Sequence, residues 1–427
     1  MEIVKSFSKL SREEKIAYIQ NNFPLVIDLA KETNHYRHET NQAIFDDFSE
    51  NTLSNFYLPY GVAPNFLIDG KMHVLPMVIE ESSVVAAASR AAAFWANHGG
   101  FKTTVHDSVK VGHLWFQWSG NANTLQSHSS TLEAYLKASV KEITQSMEQR
   151  GGGIVAIEFI PQPELANVWQ MQVSFKTADS MGANFINTCL EAMKEPLLNY
   201  FNEHSLSTPE IIMAILSNYT PNCLVSCKVS CKVEHLTPYT AGLSTQDFAQ
   251  RFKLAMDIAY HNTHRAATHN KGVYNGVDAV VLATGNDFRA VEAAGHSYAS
   301  RDGQYRSLSQ CNITDDGLFN LSLTIPMALG TVGGLTRLHP LAALSIEILQ
   351  NPSAEELMSI AASAGLANNF AAVASLVTMG IQKGHMKLHL SNILTGFDAT
   401  PEERERTEAY FADKTVSIQK VRAFLNR

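Results

Sequence analysis

The stretch RAATHNKGVYNGVDAVVLATGNDFRAVEA, from Arg265 to Ala293, contributes most to the choice of fold. Its first half is polar and contains glycine, which predicts a loop. The apolar run from Ala279 to Thr284 predicts a strand, and a helical pattern starts at Phe288. An amphipathic helix is predicted upstream, after Ser244. Strand, loop and helix in this order often carry functional side chains, so the stretch indicates a mixed α and β fold with a site near its middle.

Helix and strand patterns alternate along the whole 427-residue chain, which is longer than one hydrophobic core usually supports. Three strand-like segments, His113 to Trp118, Ile154 to Ile160 and Trp169 to Phe175, fall in the middle third. They indicate a small α+β domain inserted in a larger one. A charged helix is predicted at the C-terminal end, where Thr400 starts a capping-box pattern. That helix could form a C-terminal cap.

Charge and hydropathy exclude several classes of protein. The formal net charge of −8 gives no general attraction to nucleic acid or to an acidic membrane surface. The first fifteen residues mix charged and apolar side chains and so lack the apolar core of a secretion signal. We identify no uncharged apolar run long enough to span a bilayer, since Arg90 interrupts the alanine-rich stretch after Val84. We therefore expect a cytoplasmic protein with no membrane anchor.

The cysteines are odd in number and suit a reducing compartment. Cys223, Cys227 and Cys231 lie in CLVSCKVSCKV, whose period of two predicts a strand with all three thiols on one face. A metal site is the alternative, but such sites usually use CxxC pairs in tight turns. Two histidine pairs, His261 with His264 and His385 with His389, lack a third ligand nearby in the sequence. We predict no metal.

Generic catalytic motifs are missing. The sequence has no GxGxxG after a strand, no GxxxxGK[ST], no HExxH and no GxSxG. Titratable residues instead lie in three otherwise apolar or small-residue segments, where a buried charge would need a partner. Each has a structural alternative: Glu81 as an acid at a helix start, Lys271 as a solvated loop lysine, Asp287 as a helix cap and His385 as a surface histidine.

Taken together, these segments resemble class II 3-hydroxy-3-methylglutaryl-CoA (HMG-CoA) reductases, over nearly the whole chain. The segments that carry the resemblance are ENTLSNFYLPYGVAPNF (50–66), VIEESSVVAAAS (78–89), DSMGANFINT (179–188), RAATHNKGVYNGVDAVVLATGNDFRAVEA (265–293), PMALGTVGGLTRLHP (326–340), GLANNFAAV (365–373) and GIQKGHMKLH (380–389).

The resemblance implies an α+β fold. It comprises a large mixed α/β domain for substrate binding and dimerisation (1–108 and 218–376), an inserted ferredoxin-like, non-Rossmann cofactor domain (109–217) and a C-terminal helical flap (377–427). The catalytic residues it implies are Glu81, Lys271, Asp287 and His385. The residues it implies for the hydroxymethylglutaryl group are Ser83, Arg265, Asn275 and Asn369. Those for the cofactor are Asp179, Met181, Gly182, Ala183, Asn184 and Asn218.

The chain departs from the family pattern at a few positions. Residues 50–54 are ENTLS where the family usually has ENVIG, and residues 80–83 are EESS where it has EEPS. The assignment of Glu81 over Glu80 depends on Ser83, which follows two residues later as in the family. Ser180 replaces a common alanine in the cofactor motif.

These residue types suit the implied reaction, in which a thioester is reduced through an aldehyde to mevalonate. Negative charge develops on a carbonyl oxygen at each reduction, and Lys271 would stabilise it. Glu81 would supply protons if burial and a nearby Asp287 raise its pKa, and the three groups would titrate as one coupled cluster. Arg265 would bind the terminal carboxylate of the substrate in a bidentate pair.

The sequence also leads to expectations about the cofactor, the ligands and the oligomeric state. Enzymes that favour NADH usually offer an acid to the ribose 2′-hydroxyl, and the segment after Gly153 has Ala156 without one, which favours NADPH. The resemblance implies HMG-CoA, mevalonate and CoA as ligands and a homodimer or larger assembly with sites at subunit boundaries. Two alternatives stay open: an acyl-CoA transferase or thiolase-like enzyme with Cys189 or Cys311 as nucleophile, and a non-catalytic CoA-ester binding protein.

Overall fold

A computed structural model describes residues 3–378, 390–391, 393–411, 414 and 416–426, and its fold is mixed α+β. The strands are β1 (Tyr60–Ile68), β2 (Lys71–Val78), β3 (Lys102–Asp107), β4 (Lys110–Gln117), β5 (Gly153–Pro161), β6 (Val168–Lys176), β7 (Glu210–Ser217), β8 (Leu224–Lys232), β9 (Ser309–Ile313) and β10 (Leu318–Pro326). The α-helices up to residue 299 are α1 (Arg12–Asn22), α2 (Leu29–His35), α3 (Gln42–Asp46), α4 (Val84–Ala96), α5 (Ala122–Ser139), α6 (Lys141–Glu148), α7 (Ala183–Ala192), α8 (Lys194–Glu203), α9 (Thr245–His261), α10 (Thr263–Ala283) and α11 (Phe288–Ala299). The later ones are α12 (Leu335–Leu338), α13 (Pro340–Ile348), α14 (Ala354–Leu376), α15 (Pro401–Phe411) and α16 (Ile418–Phe424).

Two antiparallel sheets have separate hydrophobic cores. The first has the order β3-β8-β10-β9 and packs with α4, α9, α10 and α14 into the larger core. The second has the order β5-β6-β4-β7 and packs with α5, α7 and α8 into the smaller core. Its elements follow one another as strand, helices, strand, strand, helices, strand. The three strands predicted in the middle third are confirmed as β4, β5 and β6.

Strand β8 confirms the predicted arrangement of cysteines. Cys227 and Cys231 alternate with Val225 and Val229 on its buried face, and Cys223 is buried just before the strand begins. All five cysteines of the chain are free and buried. These thiols therefore act as small apolar side chains in the core.

The loop and strand predicted between Arg265 and Thr284 are wrong, because most of this segment belongs to helix α10. The polar segment from Arg265 and the run from Ala279 to Thr284 are not a loop and a strand; residues Thr263–Ala283 form one helix of 21 residues. The Asn262 side chain caps it by accepting a hydrogen bond from the Arg265 amide at 2.9 Å. Buried residues occur on most of its faces, so the apolar periodicity that marks a surface helix is absent.

Helices α10 and α14 pack closely in the larger core. A Cβ atom at Gly276 would lie 2.2 Å from the carbonyl oxygen of Ala364, and one at Gly365 would lie 2.7 Å from Val277 Cγ2. Only glycine permits this separation of the two backbones. This close contact between the two helix backbones fixes the side chains of α10 relative to those of α14.

Helix α14 contradicts the expectation that the chain has no apolar run long enough to span a bilayer. Among the described residues, α14 is long and apolar enough to cross a bilayer by length and composition, although the sequence suggested no such run. Of its most apolar window, 83% is buried inside the protein. That burial is typical of a core helix.

The predicted capping box at the C-terminal end is confirmed. Thr400 Oγ1 accepts a hydrogen bond from the Glu403 amide at 3.2 Å, and Glu403 Oε2 accepts one from the Thr400 amide at 2.9 Å. Helix α15 follows directly, and a third small hydrophobic cluster joins α15 to α16 through Phe411 and Val421. This cluster is separate from the two larger cores.

Candidate active site

An ion pair between Glu81 and Lys271 lies at the centre of a cavity of about 680 Å³, here called the acid–lysine cavity. Lys271 Nζ donates to Glu81 Oε2. Glu81 precedes α4, and Lys271 lies in the third turn of α10. The two side chains remain partly exposed, at 38% and 62%, so both can be reached by a ligand.

Local geometry brings four α10 residues to this cavity. Arg265, Thr268, Lys271 and Asn275 line it and are spaced by three, three and four residues, which places them on one face of the helix. Burial lowers the pKa of Arg265, and a guanidinium remains charged at neutral pH in proteins. A permanent cation, an amide and a titratable pair thus share one wall.

The opposite wall comes from α4 and α14. Ser83 occupies the cap position of α4 with φ of 74°, a left-handed conformation that is uncommon for residues other than glycine. Asn369 of α14 lines the deep end of the cavity and is almost fully buried. All the residues predicted to bind the hydroxymethylglutaryl group therefore line the same cavity as Glu81 and Lys271.

A buried network beneath the cavity was not found from the sequence. His269 Nε2 lies 2.6 Å from Ser309 Oγ and 3.1 Å from Asn369 Nδ2, and Ser309 Oγ donates to Asn369 Oδ1 at 2.9 Å. Burial and the nearby Arg265 lower the pKa of His269 to about 3, so the ring is neutral near pH 7. His269 lies in the same polar segment as Lys271, but its position beneath the cavity depends on contacts with β9 and α14.

The start of α7 lines a second cavity, of about 910 Å³, here called the α7 cavity. Asp179, Met181, Gly182, Ala183 and Asn184 all line it. Gly182 has φ of 93°, and the first amides of the helix that follows have no partners within the helix. Such amides, together with the helix dipole, attract anionic groups.

The same loop joins the two cores. The Asp179 carboxylate accepts a hydrogen bond from the Ala354 amide at 2.8 Å, and the Asp179 carbonyl accepts one from the Thr331 amide at 2.8 Å. A Cβ atom at Gly330 would lie 2.4 Å from the Met181 amide nitrogen, so a glycine is needed at this contact. Asp179 thus holds the loop in place through its side chain and its backbone.

Asn218 lies beside this loop in a small, nearly filled pocket with Met181 and Ala183. The same pocket contains Lys110, which sequence reasoning missed. Lys110 is buried, its Nζ donates to the Ser180 carbonyl at 3.5 Å, and burial lowers its pKa. No short motif surrounds this lysine, so only its burial in the fold distinguishes it.

Asp287 lines the α7 cavity and not the acid–lysine cavity. Its carboxylate caps α11 by accepting from the Arg289 and Ala290 amides at 3.1 and 3.3 Å, and it contacts Arg289 Nε at 3.3 Å. Lys271 and Ala283 lie on one continuous helix, whose rise separates them by about 18 Å. A single chain therefore joins Glu81 to Lys271 but does not bring Asp287 to the pair.

The remaining predictions concern His385, metals and thiols. His385 lies outside the described residues. Within the ranges that the structure describes, no group of three His, Cys, Asp or Glu side chains could hold a metal ion. Burial raises the pKa of Cys189 and of Cys311 to about 12, which disfavours the thiolate that a thiolase-like nucleophile needs.

Comparisons with known proteins identify the family of the chain. The family model described as hydroxymethylglutaryl-coenzyme A reductase matches residues 11–390. The chain is similar to the 3-hydroxy-3-methylglutaryl-coenzyme A reductase of Archaeoglobus fulgidus, with 34% identity over 99% of this chain and 91% of the relative. It is also similar to the probable reductase of Borreliella burgdorferi, with 31% identity over 92% and 87% of the two chains.

Solved structures give the same result. The reductase of Streptococcus pneumoniae superimposes with a TM-score of 0.74 and 35% identity, covering 98% of each chain. A class II structure from the same organism, bound to NADPH in open conformations, has a TM-score of 0.73 and covers 87% of this chain and 99% of its own. The chain therefore belongs to the hydroxymethylglutaryl-CoA reductase family and is of the class II type.

Proposed function

We propose that this protein reduces HMG-CoA to mevalonate and CoA, consuming two NADPH, as a step of the mevalonate pathway. The observation that carries the proposal is the Glu81–Lys271 ion pair, which lies in one cavity with Arg265. An acid, a fixed cation and a carboxylate-binding arginine are the groups that reduction of this thioester requires. Family membership supports the same reaction.

Lys271 and Glu81 divide the chemistry between them. Each hydride addition places negative charge on a carbonyl oxygen, and the Lys271 ammonium stabilises that oxygen without any rearrangement during the reaction. Glu81, a carboxylate in the ion pair, relays a proton from solvent to that oxygen, and its hydrogen bond with Lys271 orients it. In the resting state the ion pair keeps both groups oriented toward the cavity.

Four residues bind the acyl part of the substrate. Arg265 pairs with the terminal carboxylate through its planar guanidinium, and Asn275, one turn beyond Lys271 on the same helix face, hydrogen bonds to the hydroxyl or carboxylate oxygens. Ser83 and Asn369 complete the site from α4 and α14. Because Asn369 is already bonded to Ser309 and His269, its side-chain orientation is fixed before substrate binds.

The α7 cavity holds NADPH, which supplies hydride when bound. Its size lies within the range of cofactor pockets, and the free amides after Gly182 suit the pyrophosphate. Asp179, Met181, Gly182, Ala183 and Asn184 form the wall on that side, and Asn218 supports the loop from the small pocket beside it. The order β5-β6-β4-β7 supports an inserted, ferredoxin-like cofactor domain over residues 109–217, within a large domain comprising 1–108 and 218–376.

A homodimer completes the active site. Asp287 of one protomer meets Lys271 of the other, where its carboxylate pairs with the lysine ammonium. The separation of Asp287 from Lys271 within one chain supports this arrangement, because the reaction needs the two groups together. We place the enzyme in the cytoplasm.

His385 protonates the departing CoA thiolate, and residues 377–427 form the flap that carries it. A thiolate left unprotonated would attack the aldehyde again, and an imidazolium can give up its proton near neutral pH. The His385→Gln variant should lose thioester reduction but retain much of its activity on added free mevaldehyde, because the second reduction expels no thiol.

Oxidation of NADPH at 340 nm with HMG-CoA as the thioester tests the function directly. We expect two NADPH consumed per mevalonate formed, with one free thiol released per turnover. An unrelated acyl-CoA should give no oxidation. Loss of activity on thiol alkylation together with no NADPH oxidation would favour a thiolase-like enzyme instead. Binding of the thioester without turnover would favour a non-catalytic protein.

A further inference from the structure

We propose that Arg150 selects NADPH over NADH by binding the 2′-phosphate of the cofactor. The inference rests on the proposed function, because it takes the α7 cavity as the cofactor site. It assigns the selectivity to a specific cation, whereas the sequence offered only the lack of an acid at Ala156. Ala156 is not among the residues that line the cavity, so its own contact with the ribose has no support there.

Two arginines, Arg150 and Arg337, are the only cations among the described residues that line the α7 cavity. The acids that line it are Asp179 and Asp287, and both already accept hydrogen bonds from backbone amides. A phosphate entering the cavity would therefore find its strongest available partner in one of the two guanidinium groups.

Arg150 is free to bind such a group. It follows the end of α6 and is exposed, and its Nε donates to the Ser146 carbonyl at 3.1 Å. Within the part of the chain that the structure describes, its two Nη atoms form no hydrogen bond or ion pair. The nearest acid in the sequence, Glu148, is occupied by Thr144 and Lys141. One edge of the guanidinium is thus held while the other can receive a bidentate anion.

Position distinguishes Arg150 from Arg337. A Cβ atom at Gly285 would lie 3.0 Å from the Thr336 amide nitrogen, so the short helix that carries Arg337 packs beside the turn that leads to Asp287. Arg150 instead follows α6, which contacts α7. Arg337 is therefore associated with the Asp287 turn, and Arg150 with the α7 side of the cavity.

This arrangement orients the dinucleotide. With the pyrophosphate at the start of α7, the nicotinamide ring lies toward Asp287, where hydride is transferred, and the adenosine ribose lies toward Arg150. The 2′-phosphate is a dianion at neutral pH and matches the free edge of a guanidinium. NADH offers only a hydroxyl at this position and leaves the Arg150 charge without a partner.

Equilibrium titration of Arg150→Gln with NADPH and NADH tests the proposal, alongside the matched variant Arg337→Gln. Loss of one charge-assisted bidentate contact should weaken NADPH binding by about 10- to 100-fold, with NADH affinity unchanged. The affinity for 2′,5′-ADP should fall in parallel, while the affinity for 5′-AMP should not. The Arg337→Gln variant should keep the wild-type ratio of NADPH to NADH affinity.

Two results would overturn the assignment. Equal losses for NADPH and NADH would mean that Arg150 binds the pyrophosphate, and an unchanged NADPH affinity would mean that it binds no part of the cofactor. Failure of the proposed function is distinguishable, because in that case the wild-type protein would itself bind neither dinucleotide nor 2′,5′-ADP.

Discussion

The acid–lysine cavity and the α7 cavity differ in how the fold supplies their residues. The first takes its side chains from the faces and starts of three helices, α4, α10 and α14, which pack within one core. The second is formed by turns, residues 178–182, 285–287 and 330–334, where the two cores meet. The first is therefore held by dense packing and the second by a few backbone contacts at a junction.

This difference has a consequence for the reaction. Asp287, which we propose acts beside Lys271, lines the α7 cavity of its own chain. Because α10 is continuous from Thr263 to Ala283, Lys271 lies about 18 Å from the end of the helix that leads to Asp287 in the same protomer. The acid–lysine cavity supplies Glu81 and Lys271, and in the proposed mechanism the turn that carries Asp287 comes from a second copy.

The substitution Lys271→Ala should have the largest effect, and that effect should be confined to the acid–lysine cavity. Removing the cation that stabilises the oxyanion should lower kcat by about 100-fold or more, corresponding to about 3 kcal/mol. NADPH affinity, measured by titration, should not change, because the α7 cavity is untouched. Lys253→Ala, which removes a surface ion pair with Asp257, is the matched control and should keep its activity. Normal turnover of a folded Lys271→Ala protein would remove this lysine from the mechanism.

Two glycines of α10 test whether dense packing holds the acid–lysine cavity. Gly276→Ala forces a methyl group against the Ala364 carbonyl and should lower the free energy of unfolding by about 1–3 kcal/mol. Gly272→Ala meets nothing within 4 Å and should raise it by up to about 1 kcal/mol, because alanine favours the helix. Urea unfolding of both variants gives the comparison. Similar effects of the same sign would contradict the close packing of α10 on α14.

Lowering the pH should lower the free energy of unfolding through His269, which lines the acid–lysine cavity. The folded state keeps the pKa of this histidine at about 3, whereas the ordinary value is 6.5, so the unfolded chain binds a proton first as the pH falls. Stability from this group is fully present above pH 6.5 and is lost as the pH falls toward 3, by about 1.4 kcal/mol per pH unit. Urea unfolding at several pH values should give a shallower slope below pH 6 for His269→Gln than for the wild type. Parallel slopes would mean that His269 is not buried as a neutral group.

Local sequence patterns predicted the small antiparallel sheet well. Strands β6 and β8 alternate buried residues with exposed or half-buried ones, and β4 does so from Gly112 onward; each strand carries this signal in its own sequence. The same holds for the capping box at Thr400, where a few adjacent residues determine the structure.

Long-range packing was not predictable in the same way. Helix α10 is buried on most sides, so Val280 and Val281 resemble a strand and its polar first half resembles a loop. The residues of the acid–lysine cavity could be identified by resemblance. Their separation from Asp287 could not be predicted, because it depends on the length of helix α10. His269, Ser309 and Lys110 escaped notice because their contacts are with residues distant in the sequence.

Subunit complementation tests the central claim, that Lys271 and Asp287 act across two chains. Chains carrying Lys271→Ala and Asp287→Ala, each with a different affinity tag, are coexpressed, and the mixed dimer is isolated. One of its two sites then has both residues intact, so the account predicts about half of the wild-type NADPH oxidation. A mixed dimer of a wild-type chain and a chain with both substitutions should be inactive. An inactive first dimer together with a half-active second would contradict the account and place both residues of each site in one chain.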